Sequence, residues 1–178
     1  VNTFNEDQEF ITNFFVEFIA EYEDLHDWFE GIQLNWADDL YIANSMVHTT
    51  LKSFRSNSTP LISLFKVYKD QDDKKFTEDL FRRAVRHQTE TRKIIEEKAN
   101  NWELDRIATI DLIILQLALT EFLYFPNIPA KVTINEYIEL AKNYSTEKSR
   151  VFVNGILDKT LKELKDNNNL PKYGRGLL

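Results

Sequence analysis

Residues 104–125, LDRIATIDLIILQLALTEFLYF, form a long apolar stretch that decides the fold class. The stretch is long enough to cross a bilayer as a helix. Four charged side chains and one glutamine interrupt it: Asp105, Arg106, Asp111, Glu121 and Gln116. Charges near the middle of a membrane span are costly. We therefore predict a helix at the centre of a soluble bundle, buried on most sides, and no membrane span.

The rest of the composition also favours helices. The 178 residues are 43% hydrophobic but contain only four Gly and four Pro. Gly31 is the only glycine before Gly155, which is too few turn-forming residues for a sandwich, a barrel or a Gly-rich phosphate-binding fold. We predict an all-α fold. The apolar periodicity places helices at 6–22, 24–32, 38–54, 61–68, 76–87, 89–99, 104–124, 131–144 and 147–165.

The two halves of the chain differ in charge. Residues 1–75 carry 6 Lys/Arg against 14 Asp/Glu, whereas residues 76–178 carry 16 against 15. An acidic surface is a poor one for nucleic acid, so RNA or DNA would have to bind a local patch of the second half. We predict three parts: an acidic helical extension (1–70), a helical domain (71–166) and a polar tail (167–178), with the segment 70–75 as a charged loop.

A weak internal repeat with an offset of 66 residues links the first two parts. The shared pattern is Phe-x4-Phe, followed after about twenty residues by Asn-Trp-x2-Asp and an apolar helix. The first copy has Phe10, Phe15, Glu30, Asn35, Trp36, Asp39 and Leu51, and the second has Phe76, Phe81, Glu96, Asn101, Trp102, Asp105 and Leu117. A duplicated helical unit explains this pattern, and a coincidence between two amphipathic regions is the alternative.

Enzymatic chemistry finds little support in the residue types. The chain has no Cys, which excludes disulfides, thiolate nucleophiles and Cys-ligated metals and fits a cytoplasmic protein. His26, His48 and His87 lie on separate predicted helices, and no nucleotide-binding or metalloprotease motif occurs. We expect neither catalysis nor a cofactor or metal site.

The last predicted helix carries a separate basic stripe beside its core face. Projection at 100° per residue puts Val153, Ile156, Leu157, Leu161 and Leu164 on the core side. The neighbouring face of this helix, predicted at 147–165 and labelled α8 below, is called the α8 stripe and consists of Lys148, Phe152, Gly155, Lys159 and Lys162. Lysines neutralise phosphates, an aromatic ring stacks on an unpaired base, and a glycine lets a backbone approach closely. The alternative is a Phe152 that covers the core, with lysines that only keep the surface soluble.

One charge in the central helix has apolar neighbours. Asp111 lies one turn from Ile107 and Leu115 and close to Ile114. Either Asp111 pairs with a buried base, or this surface is open and docks another protein with Asp111 as a polar anchor. The residue pattern leaves both alternatives open.

The C-terminal half resembles a known family. The run 128–142, IPAKVTINEYIELAK, followed by Ser149 and then by 152–159, FVNGILDK, is similar to the C-terminal signature of the NusB family of transcription antitermination factors. Upstream residues also match the family: Phe76, Leu80, Phe81, Trp102, Asp105, Arg106, Asp111, Leu115 and Glu121. The resemblance thus covers about residues 72–165.

The resemblance implies an all-α fold of two perpendicular helical bundles, here with an extra N-terminal helical unit, and no enzymatic activity. NusB proteins pair with NusE, a ribosomal protein of the small subunit, and the pair binds boxA RNA within the RNA polymerase antitermination complex. The helix that faces NusE matches 104–125, so Asp111, Ile107, Ile114 and Leu115 become candidate partner-binding residues. The RNA-contacting aromatic of the family matches Phe152, which makes the α8 stripe the candidate RNA-binding surface.

The chain also departs from the family. NusB proteins begin with an arginine-rich helix that contributes to RNA binding, and residues 1–178 contain no such segment. Either that helix precedes Val1, or RNA binding is weak because fewer phosphates are contacted. Lys148 stands where the family often has an acidic residue. Two other functions remain open: an interaction module of the same fold without RNA binding, and the accessory domain of an RNA methyltransferase, which the short polar tail disfavours.

Overall fold

The computed structural model describes residues 3–57, 68–99 and 107–173, and every regular element in these ranges is helical. The helices are α1 (Phe4–Phe15, prolonged by a π-helical turn at Val16–Ala20), α2 (Glu23–Ile32), α3 (Trp36–Ser53), α4 (Gln71–Arg86), α5 (Gln88–Lys98), α6 (Thr109–Tyr124), α7 (Ala130–Tyr144) and α8 (Glu147–Asp166). The predicted all-α fold is confirmed. Most of the predicted helix at 61–68, the start of the one at 104–124, and the repeat residues Asn101, Trp102 and Asp105 lie outside the described residues.

Side-chain caps explain where several helices begin. Thr3 and Glu6 form a reciprocal capping box at α1, and Thr146 accepts a hydrogen bond from the Ser149 amide at α8 (3.1 Å). At α4 the Asp70 carboxylate accepts from the amides of Asp72 and Asp73, at 2.9 and 3.0 Å. The charged loop predicted at 70–75 is therefore wrong, because this cap starts the helix at Gln71, five residues before the predicted start at 76.

The chain divides into two compact units, Val1–Lys69 and Asp70–Leu178. The described part of the first holds α1 to α3, and that of the second holds α4 to α8. Those members of the internal repeat that the structure describes fall on equivalent helices: Phe10 and Phe76 on α1 and α4, Glu30 and Glu96 on α2 and α5, and Leu51 and Leu117 on α3 and α6. This correspondence supports a duplication, which stays a prediction, as do the three domain boundaries.

Helix α6 is the centre of the second unit, as predicted from its apolar stretch. It packs against α4, α5, α7 and α8, and Leu115, Leu119 and Phe122 are fully buried along it. Close packing on several sides leaves no single apolar face, so even Gln116 and Thr120 are buried. In the described part of the chain, the search for a helix long and apolar enough to cross a membrane finds none.

A buried polar network joins α6 to α7 and to the C-terminal segment. Glu121 is 5% exposed and accepts hydrogen bonds from the hydroxyls of Thr133 (2.6 Å) and Tyr137 (3.2 Å). Burial raises the pKa of Glu121, and these two hydrogen bonds and the charge of Lys172 oppose that rise. The Lys172 ammonium donates to the carbonyls of Glu121 (3.2 Å) and Phe125 (2.9 Å), and so caps the C-terminus of α6. The described part of the predicted polar tail is thus packed onto the helical domain.

Candidate nucleic-acid interface

The α8 stripe lies beside the core face of α8, as its spacing predicts. Lys148, Lys159 and Lys162 are exposed, and Phe152 and Gly155 are half-buried. The core-facing side chains Val153, Ile156, Leu157 and Leu161 are buried, and Leu164 packs against them. A helix with one side packed on the core thus presents three cations and an aromatic ring on its adjoining side.

Three members of the α8 stripe line one small cavity. Phe152, Gly155 and Lys159 border a space of about 180 Å³ together with Val151 and Ile156 of α8 and Lys98 and Ala99 at the end of α5. The volume is below the ~300–1,000 Å³ typical of clefts that enclose a whole small molecule. The cavity therefore suits one flat group of a larger ligand that is inserted partway.

Gly155 opens the floor of this cavity. A Cβ atom built at Gly155 has no heavy atom within 4 Å, so the missing side chain leaves free space rather than room for a neighbouring helix. Gly155 lies in the interior of α8, where glycine costs ~0.5–1 kcal/mol relative to alanine. Packing within the described protein does not explain this glycine, whereas a close approach by a ligand backbone would.

Phe152 has a double role in the structure. Its ring packs against the core of the second unit, and it also borders the cavity beside Lys159. Phe152 therefore covers part of the core and also borders an open space, and its role in RNA binding stays a prediction. A half-buried ring is also held in place, so little side-chain entropy is lost when a base stacks on it.

Two carboxylates near the α8 stripe are paired with cations, and Asp158 and Asp166 of the same helix are exposed. Glu163 is paired with Lys98 of α5, and Glu147 is paired with Arg150. Both carboxylates thus have cationic partners beside the stripe. Sequence reasoning missed Lys98, because only the packing of α5 against α8 brings it to the cavity. No signal in the sequence links Lys98 to the α8 stripe.

The four candidate partner-binding residues are placed differently from the expected open surface. Asp111, Ile107, Ile114 and Leu115 are 4%, 9%, 3% and 0% exposed, and the three apolar ones belong to the core of the second unit. They lie inside because α6 is surrounded by other helices. The Asp111 Oδ1 atom is buried and makes no hydrogen bond to any residue that the structure describes. A role in partner binding stays a prediction, and Ile113, 44% exposed, is the large apolar side chain that this helix does present.

The described residues do not gather a set of metal-binding side chains. A search of 3–57, 68–99 and 107–173 finds no cluster of three or more His, Cys, Asp or Glu able to hold a metal ion. His26 and His48 border a cavity of the first unit, whereas His87 lies between α4 and α5 and contacts Tyr124.

Comparisons with known proteins agree with the resemblance. The family model described as the NusB family matches residues 40–162. The proteins named transcription antitermination protein NusB from Salinibacter ruber and Chloroherpeton thalassium are 46% identical over 120 residues and 54% identical over 84 residues. The first alignment covers 66% of this chain and 75% of the relative, and the second covers 47% and 40%. The Myxococcus xanthus protein of the same name is 44% identical over 91 residues, covering 51% of this chain and 65% of its own.

A solved structure shows the same fold. NusB of T. maritima superposes with a TM-score of 0.51 at 38% identity, over 53% of this chain and 66% of that one. The predicted NusB-like fold class is therefore confirmed. The family match also reaches back to residue 40, which lies in α3 and upstream of the region 72–165 where the resemblance was seen.

Proposed function

Because the chain belongs to the NusB family, we propose that it is a transcription antitermination factor that binds boxA-type RNA through the α8 stripe. In this proposal it acts with NusE in the RNA polymerase antitermination complex, supports transcription of ribosomal RNA, and works in the cytoplasm. The observation that carries the RNA-binding part is the cavity in which Phe152, Gly155 and Lys159 meet next to exposed lysines.

The chemistry of the cavity matches that of single-stranded RNA. An unpaired base has a flat face that stacks on Phe152, and the open space above Gly155 admits the sugar and phosphate that follow it. Lys148 lies about three turns of α8 before Lys159, and Lys162 lies about one turn after Lys159, so the three lysines can contact separate phosphates along an extended strand. Such a site is basic and sequence-tolerant at its edges, and base contacts inside the cavity add selectivity.

We further propose that NusE binds along α6. Its buried residues Asp111, Ile114 and Leu115 hold the helix in place, and Ile113 is the exposed apolar contact. The buried Oδ1 atom of Asp111, which accepts no hydrogen bond from the described residues, is an acceptor that a partner's donor group would satisfy. This gives Asp111 the role of an anchor that becomes fully hydrogen-bonded only in the complex.

A fluorescence titration tests the proposal. Dye-labelled boxA-type RNA is titrated with the chain, alone and with NusE, at two salt concentrations, using the parent protein, Lys159→Gln and Lys165→Gln. Both lysines are exposed on α8, but only Lys159 borders the cavity, so Lys165→Gln is the matched control. We expect affinity to fall steeply with salt and Lys159→Gln to reduce the slope of log K against log salt by about 0.7, the value for one phosphate contact of a single strand.

The opposite results would refute RNA binding at this site. RNA binding that both variants reduce equally would be a general effect of charge, and binding insensitive to salt would exclude phosphate contacts.

A second candidate function is an interaction module without RNA binding. It is favoured by the first unit, which has many acidic residues and many exposed apolar side chains. Absence of RNA binding with or without NusE, together with salt-insensitive binding of NusE, would establish that candidate instead.

A further inference from the structure

The first unit leaves most of its large apolar side chains exposed. Among its described residues, 3–57 with 68 and 69, only Leu40 is a buried hydrophobic residue, whereas seventeen form the core of the second unit. Fourteen large apolar side chains are exposed instead: Phe4, Phe10, Ile11, Phe14, Phe18, Ile19, Tyr22, Trp28, Ile32, Leu34, Tyr41, Ile42, Val47 and Tyr68. Phe10, Phe14 and Phe18 form a continuous row along α1, with neighbouring ring centroids 6.3 and 5.1 Å apart. An exposed apolar patch of this kind marks an interaction site.

The first unit also has a groove, and Tyr41 belongs both to its lining and to the exposed apolar side chains. The π-helical turn that ends α1, together with α2 and α3, encloses a cavity of about 450 Å³. Phe15, Trp36, Leu40 and Tyr41 supply its apolar walls, and Glu21 and Glu30 border it. Both carboxylates are exposed, so they remain solvated at the edge of the groove.

Hydrogen bonds as well as helix packing fix the walls of the groove. The π-helical turn leaves the Ala20 carbonyl free of the ordinary helical pattern, and it accepts from His26 Nε2 (2.7 Å) and from the Asn44 amide (3.4 Å). These two bonds tie α2 and α3 to the end of α1. π-helical turns of this kind occur frequently at functional sites.

The electrostatics of the first unit select the occupant. Its described residues carry eleven Asp and Glu against three Lys and Arg, namely Lys52, Arg55 and Lys69, and none of these three borders the cavity. A second copy of the unit would bring two acidic surfaces together, and such like-charge juxtaposition costs several kcal/mol. A cationic partner would instead be attracted before contact and held at Glu21 and Glu30.

We propose that this groove binds an amphipathic helix with lysine and arginine on its polar side. The apolar side chains of that helix enter the cavity and cover the exposed aromatic residues around it, and its cations pair with Glu21 and Glu30. This is the helix-in-groove mode, in which side chains at helical spacing act as anchors. A small organic cation would fill the cavity but leave the surrounding apolar surface exposed, which favours a helix. The site lies in the first unit and does not depend on RNA binding by α8.

The test uses a dye-labelled peptide of about 18 leucine and lysine residues arranged as a five-turn amphipathic helix. Fluorescence anisotropy measures its binding to the full 178-residue chain. We expect saturable binding that is at least about tenfold tighter than that of the matched leucine–glutamate peptide. Glu21→Lys combined with Glu30→Lys should weaken binding about tenfold or more. The control, Glu9→Lys combined with Asp27→Lys, changes net charge equally at exposed positions outside the cavity and should leave affinity within about twofold.

A cavity-filling variant separates the groove from general surface charge. Ser45 is exposed and borders the cavity, so Ser45→Trp places a ring in the groove without removing a core side chain, and it should abolish peptide binding. Circular dichroism shows whether each variant remains helical. The proposal is overturned if the two double variants lose affinity equally, if Ser45→Trp binds as the parent does, or if spermine binds but the helical peptide does not. Dimerisation that Ser45→Trp prevents, without peptide binding by the parent, would identify a second copy as the occupant and also overturn it.

Discussion

Replacing Gly155 with alanine is predicted to stabilise the protein and weaken RNA binding at the same time. The added methyl group meets no heavy atom within 4 Å, so no neighbour has to move. Removing a glycine from the interior of α8 should therefore raise the free energy of unfolding by ~0.5–1 kcal/mol. For a protein of this size that corresponds to an increase in Tm of about 1–4 °C.

The same methyl group occupies the space that the RNA backbone needs. It would project into the cavity between Phe152 and Lys159, so a base could no longer stack fully on the ring. If one stacking contact is lost, affinity falls by ~1–3 kcal/mol, or about 5- to 150-fold in Kd. Because stability and affinity should change in opposite directions, a general loss of structure could not explain the weaker RNA binding.

Thermal denaturation followed by circular dichroism measures the first effect, and fluorescence titration with boxA-type RNA measures the second. Gly31→Ala is the matched control, because Gly31 also lies in a helix, α2, and a Cβ there has no heavy atom within 4 Å. It should not weaken RNA binding. Unchanged RNA affinity in Gly155→Ala would refute the close approach at α8, and a lower Tm would show that the space above Gly155 is not free.

Three further predictions follow from the structure. Phe152→Leu keeps an apolar side chain against the core but removes the ring, so RNA affinity should fall by ~1–3 kcal/mol with little change in Tm; an equal loss of both would make Phe152 a purely structural residue. Asp111→Ala should weaken NusE binding in a pull-down or titration and leave the free energy of unfolding unchanged or higher, whereas a loss of ~3–5 kcal/mol would reveal a buried ion pair. Burial raises the pKa of Glu121 above its ordinary value of 4.5, so the folded state holds this proton more tightly than the unfolded chain does. The free energy of unfolding should therefore fall as pH rises from 4.5 towards that raised pKa, and Glu121→Gln should flatten this part of the profile in urea denaturation; an unchanged slope would contradict the assignment.

Much of the fold is predictable because helical periodicity is a local property. The apolar stretch 104–125 with its interrupting charges indicates a buried central helix, and the described part of α6 is one. The start of α4 is not predictable from apolar spacing, because the cap that extends this helix to Gln71 is a polar interaction of the Asp70 side chain with two backbone amides. Such caps lie outside the pattern of buried residues.

The candidate site also has a part that is predictable from the sequence and a part that is not. The spacing of Lys148, Phe152, Gly155, Lys159 and Lys162 along one helix places them on one face whatever the helix packs against. The residues around them are not predictable from this spacing, because Lys98 reaches the cavity only through the packing of α5 on α8. The burial of Asp111 likewise depends on the helices that pack around α6, and the sequence left open whether its neighbours formed a core or a docking surface.

By itself, the amino-acid sequence determined the helical class, the NusB resemblance and the residues that share the basic face of α8, because each of these depends on neighbours within a few turns of one helix. The tertiary structure decided the rest: the cavity beside Gly155, the interior position of Asp111, the capping of α6 by Lys172 and the open acidic groove of the first unit. These features join residues from different helices. Their positions follow from how whole helices pack, which short-range periodicity does not encode.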